Sequence, residues 1–331
     1  MKKILVIGST VVDVIIDVDH LPKTQEDVHV IRQTMSLGGC AYNTSDMVRH
    51  FGVPYILFSP VGTGAYGDFV RTQLAARGIQ SPIPTPKRDN GCCYCFVERT
   101  GERTFISYHG AEYLFEKEWF DLIDDTEIDS VYICGLEIEE STGVHIVEWL
   151  EAHPQLTIYF APGPRISRID PQLLERIFAL HPVLHLNEDE ACTYAAASAS
   201  VHTSDAAAVT AQCSGPSDIT SPGASDSGPV APLSLEAAAA LLFTLTQNTV
   251  IVTLGERGAY CHTAEGTIGV PGFPAHQIDT IGAGDAHIGA VMACRQLGMS
   301  LSDAVRTANR VAAKVVETKG ALLPPDAFRS I

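Results

Sequence analysis

The second half of the chain alternates short apolar runs with helix-type segments, and this alternation limits the fold more than any other feature. The runs lie at residues 131–134, 157–160, 183–186 and 249–254. Continuous apolar runs of this length are typical of strands that are buried on both faces. Strands that alternate with helices pair in parallel, with the helices packed on the sheet. The sequence therefore predicts an α/β protein with a mainly parallel sheet covered on both faces.

Four further strand-like stretches in the first third of the chain do not alternate with helices. They lie at about residues 13–18, 28–35, 92–98 and 103–109. The last two flank Arg99-Thr100-Gly101-Glu102, which is a hairpin sequence. We therefore expect a small sheet that is separate from the main one. The length of 331 residues allows one or two α/β domains, and we predict a single domain over residues 1–331.

The composition indicates a globular enzyme and excludes two classes of partner. Hydrophobic residues make up 46% of the chain, charged residues 18%, and the net charge is −17. Such an acidic chain lacks the basic face that nucleic-acid binding requires. No apolar run approaches the roughly 20 residues of a membrane span, so we expect no membrane partner. The nine cysteines are an odd number, which suits a reducing, cytoplasmic location.

Three of the cysteines form a cluster that raises the question of a metal site. Cys92, Cys93 and Cys95 lie within one predicted strand. Adjacent strand residues point to opposite faces, and no second Cys or His pair stands at zinc-like spacing. We therefore expect structural cysteines.

Residues 195–232 differ from the rest of the chain in composition. They are mostly Ala, Ser, Thr, Gly, Pro and Asp, with few large apolar side chains. Such a segment buries too little surface to offset the entropy lost on ordering. We predict a mobile, low-complexity surface insertion.

The stretch Asp279 to Ala290 predicts a tight loop that opens a helix. Gly282, Ala283 and Gly284 precede a run with helical apolar periodicity that stops at Gly298. The free N–H groups at a helix N-terminus attract anions, and small side chains let a phosphate approach the backbone. Asp285 then lies in the first turn, where a carboxylate is either a helix cap or a base beside the phosphate.

A second polar group of residues stands near the N-terminus. The apolar run from Ile4 to Ile7 predicts a first buried strand, being too short for a signal peptide. Gly38 and Gly39 would let a hydroxyl-rich ligand reach the backbone, and Asn43 offers it donors and an acceptor. Asp13 suits a vicinal diol, because each carboxylate oxygen accepts one hydrogen bond. The alternatives are an ordinary turn and a solvated Asp at a strand end.

Together these motifs resemble the ribokinase-like (PfkB-type) family of carbohydrate and nucleoside kinases. One family signature is Gly-Gly followed four residues later by Asn, as at 38, 39 and 43, and the other is Asp-Thr-x-Gly-Ala-Gly-Asp, as at 279–285. The resemblance spans nearly the whole chain outside the insertion. It implies a three-layer α/β/α sandwich, with the small sheet as a lid over the sugar site and as the contact of a homodimer. No Walker-type Gly-x-x-x-x-Gly-Lys appears in the chain, and no dinucleotide-binding Gly-x-Gly-x-x-Gly follows the first strand.

The resemblance also implies roles for individual residues at the reaction centre. The implied general base is Asp285, with Gly282, Ala283 and Gly284 as the anion hole for the transferred phosphoryl group. The implied sugar ligands are Asp13, Gly38, Gly39, Asn43 and Glu137. His287 departs from the family, which usually has Phe there, and we assign it a packing role.

Further matches imply the nucleotide and metal sites. Asn187 and Glu190 match an Asn-x-x-Glu motif that organises magnesium and phosphate. The implied ATP contacts are Asn187, Thr253, Gly255, Gly258, Asn309 and Gly320. Potassium is a further candidate cofactor, held near Asp279, Thr280 and the turn at 320. Ala161 replaces the acid of an Asp-Pro-x-x-Arg turn, which leaves Arg165 open as a ligand-binding or a surface residue.

These observations favour ATP-dependent phosphorylation of a primary hydroxyl on a small sugar. A nucleoside kinase of the same family is the alternative, and it would need an aromatic wall for the base. The candidates for that wall are Tyr42, Tyr94, Phe96, Tyr108 and Tyr113. An alternative of another class is a non-catalytic sugar sensor on the same fold. A sensor would have no use for the base at Asp285 or for the loop at 282–284, which we call the anion loop.

Overall fold

A computed structural model gives the structure of the chain. It describes residues 1–211 and 233–331, and of residues 200–211 it describes only the backbone. The strands are β1 (Lys3–Ile7), β2 (Val11–Asp17), β3 (Arg32–Gly38), β4 (Tyr55–Phe58), β5 (Cys92–Val97), β6 (Arg103–Tyr108), β7 (Ile128–Cys134), β8 (Thr157–Ala161), β9 (Val183–Asn187), β10 (Val250–Thr253), β11 (Ala259–Thr263) and β12 (Gly266–Val270). The helices are α1 (Cys40–His50), α2 (Gly64–Ala76), α3 (Gly135–Glu139), α4 (Gly143–Glu151), α5 (Pro171–Ala179), α6 (Glu188–Ala211), α7 (Leu235–Thr246), α8 (Ala283–Gln296), α9 (Leu301–Val315) and α10 (Pro325–Phe328).

The main sheet has the strand order β12-β11-β10-β9-β8-β7-β1-β4 within the described residues. All neighbours from β10 to β4 pair in parallel, and β11 and β12 add an antiparallel edge. Alternate β1 residues enter different cores: Ile4 and Val6 pack with α1, α8 and α9, whereas Leu5 and Ile7 pack with α4, α5 and α7. The three-layer α/β/α sandwich predicted from the alternating pattern is therefore confirmed.

The small sheet has the order β3-β2-β5-β6. The central pair β2 and β5 is parallel, and both outer pairs are antiparallel. A small sheet separate from the main one is thus confirmed. Its second strand begins at Arg32 and not near residue 28 as predicted. The apolar Val30 and Ile31 that suggested the earlier start are more than half exposed, and side-chain pairing with β2 starts where Arg32 Nε donates to Asp17 Oδ2 at 2.8 Å.

The predicted insertion is described in part. The helix α6 continues to Ala211, so the backbone of residues 195–211, which belong to the predicted low-complexity insertion, is helical. Alanine has the highest helix propensity, and this stretch is rich in it. The rest of the predicted insertion, 212–232, lies outside the described residues.

Two predicted absences concern metals and membranes. Cys92, Cys93 and Cys95 lie on β5, and within 1–211 and 233–331 no three His, Cys, Asp or Glu side chains cluster as metal ligands. Over the same residues, every helix is too short or too polar to cross a bilayer.

Candidate active site

The two sequence motifs meet where α1 packs on α8. Asn43 Nδ2 donates a hydrogen bond to Asp285 Oδ2 at 2.9 Å, although 242 residues separate them in the chain. The helices approach this closely because Gly289 has no side chain: a Cβ there would stand 2.7 Å from the carbonyl oxygen of Thr44. Packing thus places the carboxylate of the second motif against the amide of the first.

The backbone geometry of the loop before α8 suits an anion. Gly282 caps the helix in the left-handed region at φ 74°, and a Cβ there would lie 2.5 Å from the Ala321 side chain, so glycine is needed on both counts. Ala283 N–H is bonded to the carbonyl of Thr280 at 3.3 Å. The N–H groups of Gly284 and Asp285 have no partner among the described residues, and a Cβ on Gly284 would meet no atom within 4 Å. Two unpaired donors and the positive end of the helix dipole therefore lie together at the start of α8, where Gly284 is exposed.

Burial raises the pKa of Asp285 to about 6, and this outweighs the hydrogen bonds from Asn43 and Cys40, which lower it. Burial also raises the pKa of Asp13 to about 6, with a further contribution from the charge of Asp285. Each carboxylate is thus close enough to the other for their charges to interact. A base with a pKa near the working pH combines basicity with a large deprotonated fraction.

This coupling predicts how activity depends on pH. Because the pKa of Asp285 is raised to about 6, its base form is present above that pH and is lost as the pH falls through it. With Asp285 as the general base that the resemblance implies, we expect kcat/KM to fall about tenfold per pH unit on the acid side, with an apparent pKa that belongs to the pair Asp13 and Asp285. Measuring kcat/KM between about pH 5 and pH 8 checks this. A profile that stays flat down to about pH 5 would contradict it.

Asp13 lies in β2, and its carboxylate packs against the backbone of Gly38. A Cβ on Gly38 would stand 2.0 Å from Asp13 Oδ2, so the carboxylate occupies the space that any other residue would fill. Gly39 has φ 97°, and a Cβ there would meet the carbonyl oxygen of Ser9 at 2.5 Å. The β1–β2 turn therefore requires Gly39, whereas Gly38 leaves room for the carboxylate of Asp13.

Glu137 is buried beside this turn with both carboxylate oxygens in use. Oε1 accepts from the N–H of Ser9 and Oε2 from the Cys134 thiol, each at 2.7 Å. Burial raises the pKa of Glu137 despite these bonds. The side chain therefore holds the turn that positions Asp13, and its predicted contact with a sugar stays a prediction.

Four of the residues predicted for the nucleotide, Asn187, Thr253, Gly255 and Gly258, lie at or just after the carboxyl ends of β9 and β10. Thr253 is the register partner of Asn187. Asn187 Oδ1 accepts from Glu190 N–H at 2.8 Å and Glu190 Oε2 accepts from Asn187 N–H at 3.0 Å, which makes this pair a capping box for α6. Gly258 has φ 97° and a Cβ there would stand 2.1 Å from the carbonyl of Val270, while Gly255 has φ 59° and open surroundings.

Asn309 lies inside a buried polar network. Its amide donates to the carbonyls of Val270 and Pro271, both at 3.1 Å, and its Oδ1 lies 3.0 Å from His287 Nε2. His287 Nδ1 lies 2.9 Å from His185 Nε2. Since Asn309 Oδ1 only accepts, His287 carries its proton on Nε2. Nδ1 of the neutral His287 ring then accepts from Nε2 of His185, which carries the other proton. Burial keeps both imidazoles neutral: it lowers the pKa of His287 to about 4 and holds the pKa of His185 well below its ordinary value. The Asn309 side chain therefore binds protein groups, and its predicted contact with ATP stays a prediction.

Sequence reasoning missed the side chain that contacts Asp279. Arg103, the first residue of β6, forms an ion pair with Asp279 Oδ1, which also accepts from Ile281 N–H at 3.0 Å. Asp279 Oδ2 accepts from the N–H of Gly320 at 2.7 Å. Asp279 thus joins the small sheet, the anion loop and the 320 turn, whereas Thr280 is exposed.

Glu139 was missed as well, although the sequence carried a signal for it. It binds Arg165 through two hydrogen bonds of 2.5 and 2.8 Å. Glu139 at the end of α3 thus supplies the carboxylate that the Asp-Pro-x-x-Arg turn would have at position 161. Arg165 belongs to a half-buried ion pair rather than to the free surface.

Comparison with known proteins identifies the family of the chain. The family model of pfkB family carbohydrate kinases matches residues 1–218 and 226–327. The chain belongs to the PfkB family of carbohydrate kinases. An uncharacterized sugar kinase of Escherichia coli (strain K12), YegV, is 32% identical over 320 residues, which is 96% of this chain and 90% of that protein. The deoxyribokinase of Salmonella typhi is 24% identical over 86% of this chain and 83% of its own length.

Solved structures show the same fold at lower sequence identity. A ribokinase from Thermotoga maritima superposes with a TM-score of 0.76 at 22% identity, covering 100% of this chain and 99% of its own. A Cryptococcus neoformans ribokinase in complex with ADP gives a TM-score of 0.72 at 20% identity, with coverage of 100% and 99%. The ribokinase-like fold expected for this PfkB member is therefore confirmed.

Proposed function

We propose that the chain transfers the γ-phosphate of ATP to a primary hydroxyl of a small sugar. Membership of a carbohydrate kinase family makes it a phosphotransferase with an alcohol acceptor. The observation that carries the proposal is the contact of Asn43 with Asp285 at 2.9 Å, next to two unpaired N–H groups at the start of α8. A sugar sensor without catalysis needs no such pairing of a base with an anion site.

In the proposed reaction, Asp13 and Asn43 hold the sugar hydroxyls so that a primary hydroxyl points at Asp285. Asp285 accepts the hydroxyl proton as the oxygen attacks the γ-phosphorus and the bond to ADP breaks. The free N–H groups of Gly284 and Asp285 and the dipole of α8 stabilise the charge on the transferred phosphoryl group. Asn43 aligns the base, because its Nδ2 is bonded to Asp285 Oδ2.

The pair Asn187 and Glu190 offers magnesium one carboxylate oxygen, Glu190 Oε1. Glu190 Oε2 and Asn187 Oδ1 serve the capping box, which leaves Glu190 Oε1 free for a water or a metal ion. Magnesium keeps several waters and takes one or two carboxylates beside the phosphates, so this single oxygen at the helix start suits it. When bound, the ion would neutralise phosphate charge.

The choice between sugar and nucleoside turns on the face of the small sheet that carries Asp13. Register pairs place Ile15, Cys95 and Phe105 on that face, and Phe105 is 51% exposed. Tyr94, Phe96 and Tyr108 alternate onto the opposite face, and Tyr42 and Tyr113 are buried. None of the predicted aromatic residues therefore forms a wall beside Asp13. Phe105, which the sequence did not single out, is the ring that favours the nucleoside alternative.

The experiment that tests the proposal is an assay of ADP release coupled to a reporter enzyme, with magnesium present, over pentoses, hexoses, sugar phosphates and nucleosides. We expect turnover with at least one free sugar. Turnover confined to nucleosides would select the nucleoside kinase instead. Silence over the whole panel, with sugar binding seen as a thermal shift, would contradict catalysis and select the sensor.

We also propose that the small sheet forms a homodimer contact. Met35 on β3 and Ile106 and Tyr108 on β6 lie on the face opposite Asp13, and they are 38%, 57% and 56% exposed. They lie on the two outer strands of the small sheet, where their exposed apolar side chains are available to a second copy of the chain. We expect Ile106→Asp to convert a dimer into a monomer, measured by light scattering after size exclusion. Leu297→Asp is the control, since Leu297 is 46% exposed at the end of α8. A monomeric wild type, or a variant at 106 that stays dimeric, would refute the contact.

A further inference from the structure

The ion pair between Arg103 and Asp279 occupies the position that the family resemblance assigns to potassium. Asp279 has a side chain that is only 1% exposed, and Arg103 is 21% exposed. A buried carboxylate requires a nearby positive charge or several hydrogen-bond donors. Here the carboxylate receives one guanidinium N–H and the N–H groups of Ile281 and Gly320.

A potassium ion does not fit beside these donors. Asp279 Oδ1 already accepts from both Arg103 and Ile281, and Oδ2 accepts from Gly320. A cation on the same carboxylate would stand next to the guanidinium, and like charges at that distance repel strongly in a buried site. Thr280, the other residue implied for potassium, is exposed. Arg103 and a bound potassium ion therefore exclude each other.

The position of this pair connects it to the anion loop. Asp279 accepts a hydrogen bond from the N–H of Ile281, the residue before Gly282. It also accepts one from the N–H of Gly320, and the next residue, Ala321, packs on Gly282. An uncompensated charge on Asp279 would shift this loop and repel the phosphoryl group that the loop is proposed to bind. Arg103 removes that charge, and it comes from the small sheet, which also carries Asp13.

We propose that the Arg103 guanidinium replaces the monovalent cation on Asp279, so that phosphoryl transfer by this chain needs no potassium. This inference rests on the proposed kinase function for its kinetic part, and its binding part is independent of activity. Arg103 acts through Asp279 and the loop, which makes it a positioning residue.

The test compares the wild type with Arg103→Met, which keeps the apolar stem and removes the charge. Rates and unfolding temperatures are measured in potassium chloride and in tetramethylammonium chloride at equal ionic strength. We expect the wild type to give the same rate and the same unfolding temperature in both salts. In tetramethylammonium chloride, Arg103→Met should be slower than the wild type by about tenfold, which is less than the 10²–10³ lost when a direct oxyanion donor is removed. In potassium chloride, Arg103→Met should regain part of this rate and unfold at a higher temperature.

A matched control lies four residues earlier in the same hairpin. Arg99 pairs with Asp19, and both side chains are more than half exposed. Arg99→Met should behave as the wild type in both salts. Arg103→Lys keeps a positive charge and should stay insensitive to potassium, which covers the case in which Arg103→Met does not fold.

Two results would overturn the inference: activation of the wild type by potassium, or an Arg103→Met protein with no response to potassium in rate and unfolding temperature. If no substrate is turned over, the kinase proposal fails while the unfolding temperatures still decide the cation question. A potassium-dependent stabilisation seen in Arg103→Met and absent from the wild type supports the replacement in either case.

Discussion

Replacing Asp285 by Asn is expected to lower kcat by roughly 10²–10⁴, which is the usual contribution of a general base. Asparagine keeps the size of the side chain, but its amide cannot take the proton of the attacking hydroxyl. The fold should survive, since the change removes a buried charge whose pKa is raised to about 6 by desolvation. The measurement is steady-state ADP release at saturating sugar, with ATP binding followed separately and expected to stay close to that of the wild type.

The matched control for this change is Asp303→Asn. Asp303 also lies in the first turn of a helix, where its N–H and carboxylate both bond the Ser300 hydroxyl, at 3.1 and 2.6 Å. A role limited to helix capping would predict similar small effects at both positions. Asp285→Asn turnover above about a tenth of the wild-type value would contradict the base assignment.

The parts of the fold that the sequence predicts well are those with a local physical cause. The strands of the main sheet are continuous apolar runs, and the loop at 282–284 combines glycine with a following helical period, so a short window suffices for each. The start of β3 was misplaced because Val30 and Ile31 are apolar yet more than half exposed. Their exposure depends on the outline of the small sheet, which no local pattern contains.

The missed residues all depend on contacts between distant segments. Arg103 and Asp279 are 176 residues apart, and neither residue type indicates the other. The hydrogen bonds of His287 to Asn309 and His185 were missed too, although a signal did exist: His287 stands where the family usually has Phe, and a buried histidine needs a hydrogen-bond partner. Arg165 gave a similar signal through the missing acid at 161. In the last two cases the sequence showed a polar group that needs a partner, and only the fold showed which residue the partner is.

Replacing Gly38 by Ala is expected to weaken sugar binding strongly without unfolding the protein. The new Cβ would stand 2.0 Å from Asp13 Oδ2. Because that atom is the end of a flexible side chain, the carboxylate can rotate away at little cost to the fold. The two hydrogen bonds that Asp13 is proposed to accept from the sugar hydroxyls would then be lost or misaligned, at about 1.5 kcal/mol or more each. We expect the KM for sugar to rise on the order of 10²-fold, with a smaller change in the KM for ATP.

A double-mutant cycle shows whether this effect acts through Asp13. If it does, Gly38→Ala should cost little in a protein that already carries Asp13→Ala, because the displaced group is absent. Gly269→Ala is the control for an added methyl group in a strand, since a Cβ on Gly269 meets no atom within 4 Å. Equal losses from Gly38→Ala in both backgrounds would show that the methyl group acts elsewhere, and would remove the geometric support for Asp13 as the sugar ligand.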